Sequence, residues 1–199
     1  MKKMKDLVIE KGLNVASKEK NAHLQWELVE EKHLINDEWI DFRVSSWRFP
    51  DGKIYEPYYS YSRKDYVVIV ALDEEDRFIC VRQFRQGIRE ITTEFTAGGI
   101  EKGEDPVDAA KRELAEETGY VSDDWKLLTK IPSNATIADN HAYIIAARGC
   151  RKEKERHLDP MEFIDVELIS GEDLKLLIDE GGFKQAVHIA AYYIAADKD

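Results

Sequence analysis

Hydrophobic and polar residues change their spacing several times along the chain. Residues 1–24 are polar and lysine-rich with no clear period, which predicts a loose arm or a short helix. From Trp26 the spacing shortens. "WELVEEKHLI" and "EWIDFRVSSWRF" combine aromatic and β-branched residues with partial alternation, the pattern of half-buried strands. "PDGK" at 50–53 marks a turn between two such runs. "YVVIVAL" at 66–72 is continuously apolar and predicts a strand buried on both faces. "DEEDR" then turns the chain into "FICVRQF" at 78–84, its expected hairpin partner.

At 105–119 the period changes to that of a helix. Asp105 suits the N-cap, Pro106 the first helical position, Asp108 the negative first turn and Gly119 the residue after the end. Val107, Ala110 and Leu114 recur at helical spacing and predict a core face. Arg112, Glu113, Glu116 and Glu117 fall mostly off it. "WKLLTKI", "HAYIIAA" and "EFIDVELI" follow as three more strands. "SGEDLKLLIDEGG" predicts a helix capped by Ser170 and stopped by its glycine pair, and a last helix is expected from about 183 to 196. Strands, a helix, strands and two helices in that order argue an α+β domain with α/β/α layers.

Composition narrows the chemistry. The 199 residues are 43% hydrophobic and 35% charged, an ordinary globular profile of one moderate domain. The net charge of −11, with no basic stripe, argues against nucleic acid as a partner. An acidic protein that handles an anion needs local Lys or Arg, or bound metal. Cys80 and Cys150, the two cysteines, lie in apolar strand-like contexts and are expected as buried thiols, which suits a cytoplasmic setting. The longest apolar stretch, "AVHIAAYYIAA", is shorter than the roughly 20 residues that cross a bilayer, so no membrane partner is expected. The five histidines show no ligand spacing.

The crowding of Glu113, Glu116 and Glu117 carries the most information. Like charges three and four residues apart on a helix repel by a few tenths of a kcal/mol per pair. A hard cation such as magnesium takes oxygen ligands, so it would turn that repulsion into binding. The spacing is Gly98, five residues, Glu104, seven residues, then Arg112-Glu113-Leu114-Ala115-Glu116-Glu117-Thr118-Gly119-Tyr120. This resembles the Nudix box, G-x5-E-x7-R-E-U-x-E-E-x-G-U with U a bulky apolar residue, at every specified position. Upstream, "VRQFR" and "EFTAGG" resemble the nucleoside-diphosphate-sugar branch of the family, typified by ADP-ribose pyrophosphatases.

The resemblance implies a Nudix α/β/α sandwich with a mixed β-sheet over 61–199. Residues 1–60 would add an arm and antiparallel strands that form a homodimer. It implies Mg2+ as cofactor, with Mn2+ as a substitute, held by Glu113, Glu116, Glu117 and the backbone carbonyl of Ala97. Arg112 would orient the glutamates, and Glu104 would be structural. The catalytic base would come from a loop before a late strand, where Glu162 occupies the matching E-x-I-x-V position. Glu101 and Asp139 are weaker candidates. Arg85 and Arg82 are the candidates for gripping the diphosphate, and Arg85 is the better match. On a strand they would point to opposite sides. Trp47 is the first choice among the tryptophans to stack on a nucleobase.

The implied reaction is hydrolysis of ADP-ribose, or a similar nucleoside-diphosphate-linked small molecule, to AMP and ribose 5-phosphate. Other implied substrates are GDP-mannose, another sugar nucleotide or a dinucleoside polyphosphate. A Nudix regulator that binds a metabolite without turnover is the rival of a different class. Two departures bear on specificity. Asn134 and Ala135 replace the proline and glycine of the family's P-S-P-G loop, and Thr96 stands where proline is usual.

Overall fold

The computed structural model describes residues 21–197. Contacts divide the chain into one unit running through Tyr61 and another from Ser62 onward. Most of the expected N-terminal arm lies outside the described residues; Ala22–Leu24 form a single 3-10 turn.

In the first unit β1 (Glu27–Asn36), β2 (Asp41–Arg48) and β3 (Ile54–Ser62) form a sheet in that order. β1 and β2 pair antiparallel. Asp37 closes their turn by accepting the backbone N–H groups of Trp39 and Ile40. The "PDGK" turn needs Gly52, whose φ of 87° disfavours a side chain. Trp26, Phe49, Tyr55 and Tyr58 pack as an aromatic cluster. Every residue of β1 is exposed, including Leu28, Val29, Leu34 and Ile35.

In the second unit the strands are β4 (Tyr66–Asp73), β5 (Phe78–Arg85), β6 (Glu90–Gly99), β7 (Tyr120–Val121), β8 (Asp124–Pro132), β9 (His141–Lys152) and β10 (Asp165–Ile169). The helices are α1 (Pro106–Thr118), α2 (Gly171–Asp179) and α3 (Ala186–Asp197). The sheet runs β10-β5-β6-β4-β9-β7, with β8 also on β9. β4 and β9 are parallel, and the other pairs are antiparallel.

β4 is the axis of the fold. Val67, Ile69 and Ala71 pack with Ala109, Ala110 and Leu114 of α1, while Val68 and Val70 pack with Leu174, Phe183 and Ala191 on the other face. The sheet is thus a layer between α1 and the pair α2 and α3. This is the expected α+β architecture with helices on both faces of a mixed sheet.

The expected β4–β5 hairpin forms but is short. The Asp73 N–H donates to the Arg77 carbonyl at 3.0 Å, the strands pair only at Leu72 and Phe78, and beyond that β4 takes β6 and β9 as neighbours. A strand buried on both faces must satisfy its backbone along both edges, and a splayed hairpin leaves both edges of β4 free for that. The last helix begins at Ala186 rather than near 183. Phe183 is instead a fully buried side chain of the preceding loop, in edge contact with Phe95. Cys80 and Cys150 are buried free thiols, and burial pushes both pKa values up, that of Cys150 to about 11.

Candidate active site

The site is built on α1 and the end of β6. Asp105 accepts from the N–H of Val107, Pro106 starts the helix, and Gly119 ends it at φ 78°. Gly119 has a second reason to be glycine: a Cβ there would lie 2.5 Å from the carbonyl oxygen of Lys154.

Arg112 organises the start of the site. Its Nε and Nη2 grip the Glu104 carboxylate at 2.9 and 3.0 Å, and Nη2 also reaches the carbonyl of Gly99 at 3.0 Å. Its Nη1 bridges Glu113 at 2.7 Å and Glu116 at 3.2 Å. This forked pairing holds the Glu104 carboxyl below its ordinary range. Glu104 is therefore a structural partner of Arg112, and it also accepts the N–H of Glu101.

Gly98 lets Glu113 lie flat on β6, because a Cβ at 98 would fall inside the Glu113 carboxyl. Burial pushes the Glu113 pKa up, against the pull of Arg112, and the charges of Glu116 and Glu162 add to the rise.

Glu117 departs from the expectation that it would lie off the core face. It is 3% exposed, and its Oε2 has no hydrogen-bond partner. Burial raises its pKa well above the usual carboxylate range, with further rises from Glu113, Glu162 and Glu94 and an opposing effect of Arg85. The helix turns Glu117 inward because it lies one turn beyond Glu113, over β6.

Alternation on β5 separates the two arginines. Arg85 shares the face of Ile79, the α1 side, and Arg82 shares the face of Cys80. Arg85 meets the fully buried Glu94 of β6 at 2.7 Å. Glu94 is pushed up in pKa by burial, and its Oε2 is also without a partner. Arg82 pairs with Asp165 at 2.9 Å and Glu167 at 2.8 Å on β10.

Glu162 sits in the loop before β10. Asp159–Glu162 is a turn around Pro160: the Glu162 N–H donates to the Asp159 carbonyl, and Glu162 Oε2 accepts the Asp159 N–H, each at 2.9 Å. Its charge acts on Glu113 and on Glu117. Asp139 accepts a hydrogen bond from Ser62. Ser133, in the departing loop, holds Tyr66 Oη at 3.2 Å and the carbonyl of Asn140. Trp47 belongs to the first unit, where its Nε1 donates to Ser45 Oγ at 2.8 Å and its ring meets Tyr58 edge-on.

Sequence reasoning gave Glu94 no role beyond its place at the head of "EFTAGG", and missed Arg156. Glu94 stands four residues before the box in a strand whose buried threonines hide it from any apolar pattern. Arg156, in a polar stretch, gives no local signal.

The donor set suits a hard divalent cation. Every candidate donor is oxygen, and Glu117 holds a buried carboxylate oxygen without a partner. Among the described residues no three Asp, Glu, His or Cys side chains are already gathered as a complete coordination group. Arg112 instead holds Glu113 and Glu116 in ion pairs. Also among the described residues, no helix is long and apolar enough to cross a membrane.

Comparison with known proteins bears on the family and the fold. A profile of the NUDIX domain matches residues 62–191. The methanol dehydrogenase activator of Bacillus methanolicus is 33% identical over 130 residues, 64% of this chain and 70% of its own length. The ADP-ribose pyrophosphatase of Bacillus subtilis (strain 168) is 29% identical over 163 residues, 78% of this chain and 84% of its own. A crystal structure of an ADP compounds hydrolase superposes with a TM-score of 0.77 at 21% identity, over 87% of this chain and 94% of that one, and shares the fold. With an unbroken box on α1 and a family match across the whole second sheet, the chain belongs to the Nudix hydrolase family.

Proposed function

We propose that the protein hydrolyses the diphosphate linkage of a nucleoside-diphosphate sugar, ADP-ribose foremost, to AMP and ribose 5-phosphate with Mg2+. The observation that supports this best is the box helix itself: Arg112 holds Glu113 at 2.7 Å and Glu116 at 3.2 Å, and Glu117 on the same helix is buried with one carboxylate oxygen unpartnered. The named activities of the Bacillus subtilis relative and of the structural neighbour support the substrate class.

When bound, a divalent ion supplies charge neutralisation at the diphosphate and a more acidic water. Glu113, Glu116, Glu117 and the Ala97 carbonyl would hold it, with Mn2+ as a substitute. Arg112 keeps Glu113 and Glu116 in register. Glu162 takes the proton of the attacking water as its oxygen bonds to phosphorus and the bridging P–O bond breaks. Arg85 faces the departing phosphate, with Glu94 fixing its guanidinium. Trp47 would stack on the base, and the exposed β1 would form a homodimer. The reduced, buried thiols suit the cytoplasm.

One assay tests the reading. ADP-ribose, GDP-mannose, UDP-glucose and diadenosine polyphosphates are offered with Mg2+ to the wild type, Glu116→Gln and Glu117→Gln. Turnover of ADP-ribose that falls about 100-fold or more in both variants is expected. Turnover of a different compound moves the substrate and keeps the chemistry. The rival, a regulator that binds a metabolite without turnover, is favoured by the likeness to the methanol dehydrogenase activator. Tight binding with no turnover of any compound would establish it.

A further inference from the structure

The chain returns from β9 across the C-terminal end of α1 before it reaches Glu162. The N–H groups of Glu153 and Lys154 both donate to the carbonyl of Gly119, at 3.1 and 3.0 Å, and the His157 N–H donates to that of Glu116 at 2.9 Å. The strap lies so close that Gly119 has no room for a Cβ. From the middle of it, half-buried Arg156 reaches in two directions. Its Nε donates to the carbonyl of Glu117 at 2.6 Å, and its Nη2 to the carbonyl of Ile164 at 2.6 Å. One planar guanidinium therefore joins the last turn of the box helix to the residue two after Glu162.

Both bonds are charge-assisted and short. The carbonyls at a helix end lack intrahelical partners and carry the negative end of its dipole, so a cation there is doubly favoured. Residues 157–163 are closed into a loop at their base by the Arg156 side chain. Ile164 is buried and anchors one side. At the tip, Met161 and Phe163 are 83% and 84% exposed and anchor nothing. The position of the Glu162 loop at the end of α1 thus depends on its base, where Arg156 is.

We infer that Arg156 is a positioning residue: by bridging the carbonyls of Glu117 and Ile164 it sets the Glu162 loop against the carboxylate face of the box helix. The inference rests on the reading of Glu162 as the group that accepts the water's proton. Lysine replaces it only in part, because an ammonium lacks the fork that spans two carbonyls from separate segments.

The test compares the wild type with Arg156→Met and Arg156→Lys. Misplacing a reacting group by about 1 Å lowers the rate about 100-fold. The expected result is a kcat reduced about 10- to 100-fold in Arg156→Met with KM within about twofold, and a smaller loss in Arg156→Lys. Added guanidinium ion should restore part of kcat in Arg156→Met and none in Arg156→Lys, where the ammonium occupies the space. A merely structural residue would give neither the kcat-only loss nor that rescue. Amide exchange is read on the same proteins without substrate. The N–H groups of His157 and Glu162 should exchange faster in Arg156→Met, while those inside α1 keep their protection.

Unchanged exchange at His157 and Glu162 overturns the clamp, whatever the activity. Faster exchange with unchanged kcat overturns its positioning role. Should the wild type turn over no diphosphate, the proposed function fails, and exchange alone still decides whether Arg156 holds the loop. If Arg156→Met does not fold, Arg156→Lys carries both measurements, and wild-type values of both refute the inference.

Discussion

Glu117 concentrates the conflict that the site contains. A carboxylate that is 3% exposed, with one oxygen unpartnered, is held against its own hydration. Its folded pKa lies well above the ordinary 4.5 because of burial, and Glu113 is raised for the same reason. Between 4.5 and the raised value the folded state therefore binds more protons than the unfolded state, so stability falls as pH rises through that window. Glu104 works in the opposite sense: its pKa is lowered by Arg112, and its contribution is lost as pH falls through the lowered value. Glu117→Gln removes the buried charge. In chelator at neutral pH it should stabilise the protein by about 1–3 kcal/mol and flatten the decline above pH 4.5. With Mg2+ the wild type should gain more than the variant, since a ligand at 100 times its Kd adds about 2.7 kcal/mol. Urea titrations at two pH values, with and without metal, would check this. Equal slopes and equal metal gains would refute it.

At the scale of elements, one glycine positions the chemistry and a cap secures the helix that carries it. Gly98→Ala puts a methyl group into the Glu113 carboxyl and should weaken Mn2+ binding about 10- to 100-fold while α1 stays folded, as titration of the Mn2+ resonance signal would record. Asp105→Ala, by contrast, should lower stability by about 1 kcal/mol through the lost cap and leave metal affinity nearly unchanged. α1 was legible in the sequence because its cap, proline, apolar face and terminal glycine all agree. β6 was not. Thr92, Thr93, Glu94 and Thr96 are buried in it beside Phe95, so no apolar alternation marks the strand. Its polar groups are met only in part, and at a distance: Arg85 on β5 pairs with one oxygen of Glu94, and His188 of α3 accepts the N–H of Phe95 at 3.1 Å. Those partners come together only in the fold, which is also why the inward turn of Glu117 and the bridge of Arg156 escaped the spacing. The box itself was legible because its residues are near neighbours on one loop and one helix.

At the scale of the whole molecule the open question is what covers β1. Soluble proteins seldom leave a contiguous apolar strand in water, and an uncovered sheet edge invites pairing. Here Leu28, Val29, Leu34 and Ile35 are 46%, 47%, 46% and 51% exposed on one strand. The β1–β2 register shifts at Val29 and at Leu34, so these side chains do not follow simple alternation; a second copy laid along the strand, as in an exchanged or interleaved sheet, would bury them. A homodimer through the first unit would meet that demand. The paired substitution Leu34→Glu with Ile35→Glu places two charges among the exposed apolar residues of β1 and should convert a dimer into a monomer by equilibrium sedimentation. The Nudix domain that begins at Ser62 has its own cores on both faces of its sheet, so the variant should keep the α1 amide protection of the wild type. If Trp47 contacts the base, as proposed, and the first unit is ordered by dimerisation, KM should rise about tenfold, the size of one lost aromatic stack, while kcat holds. A wild type that sediments as a monomer at micromolar concentration would remove the dimer and leave β1 as a surface for a different protein.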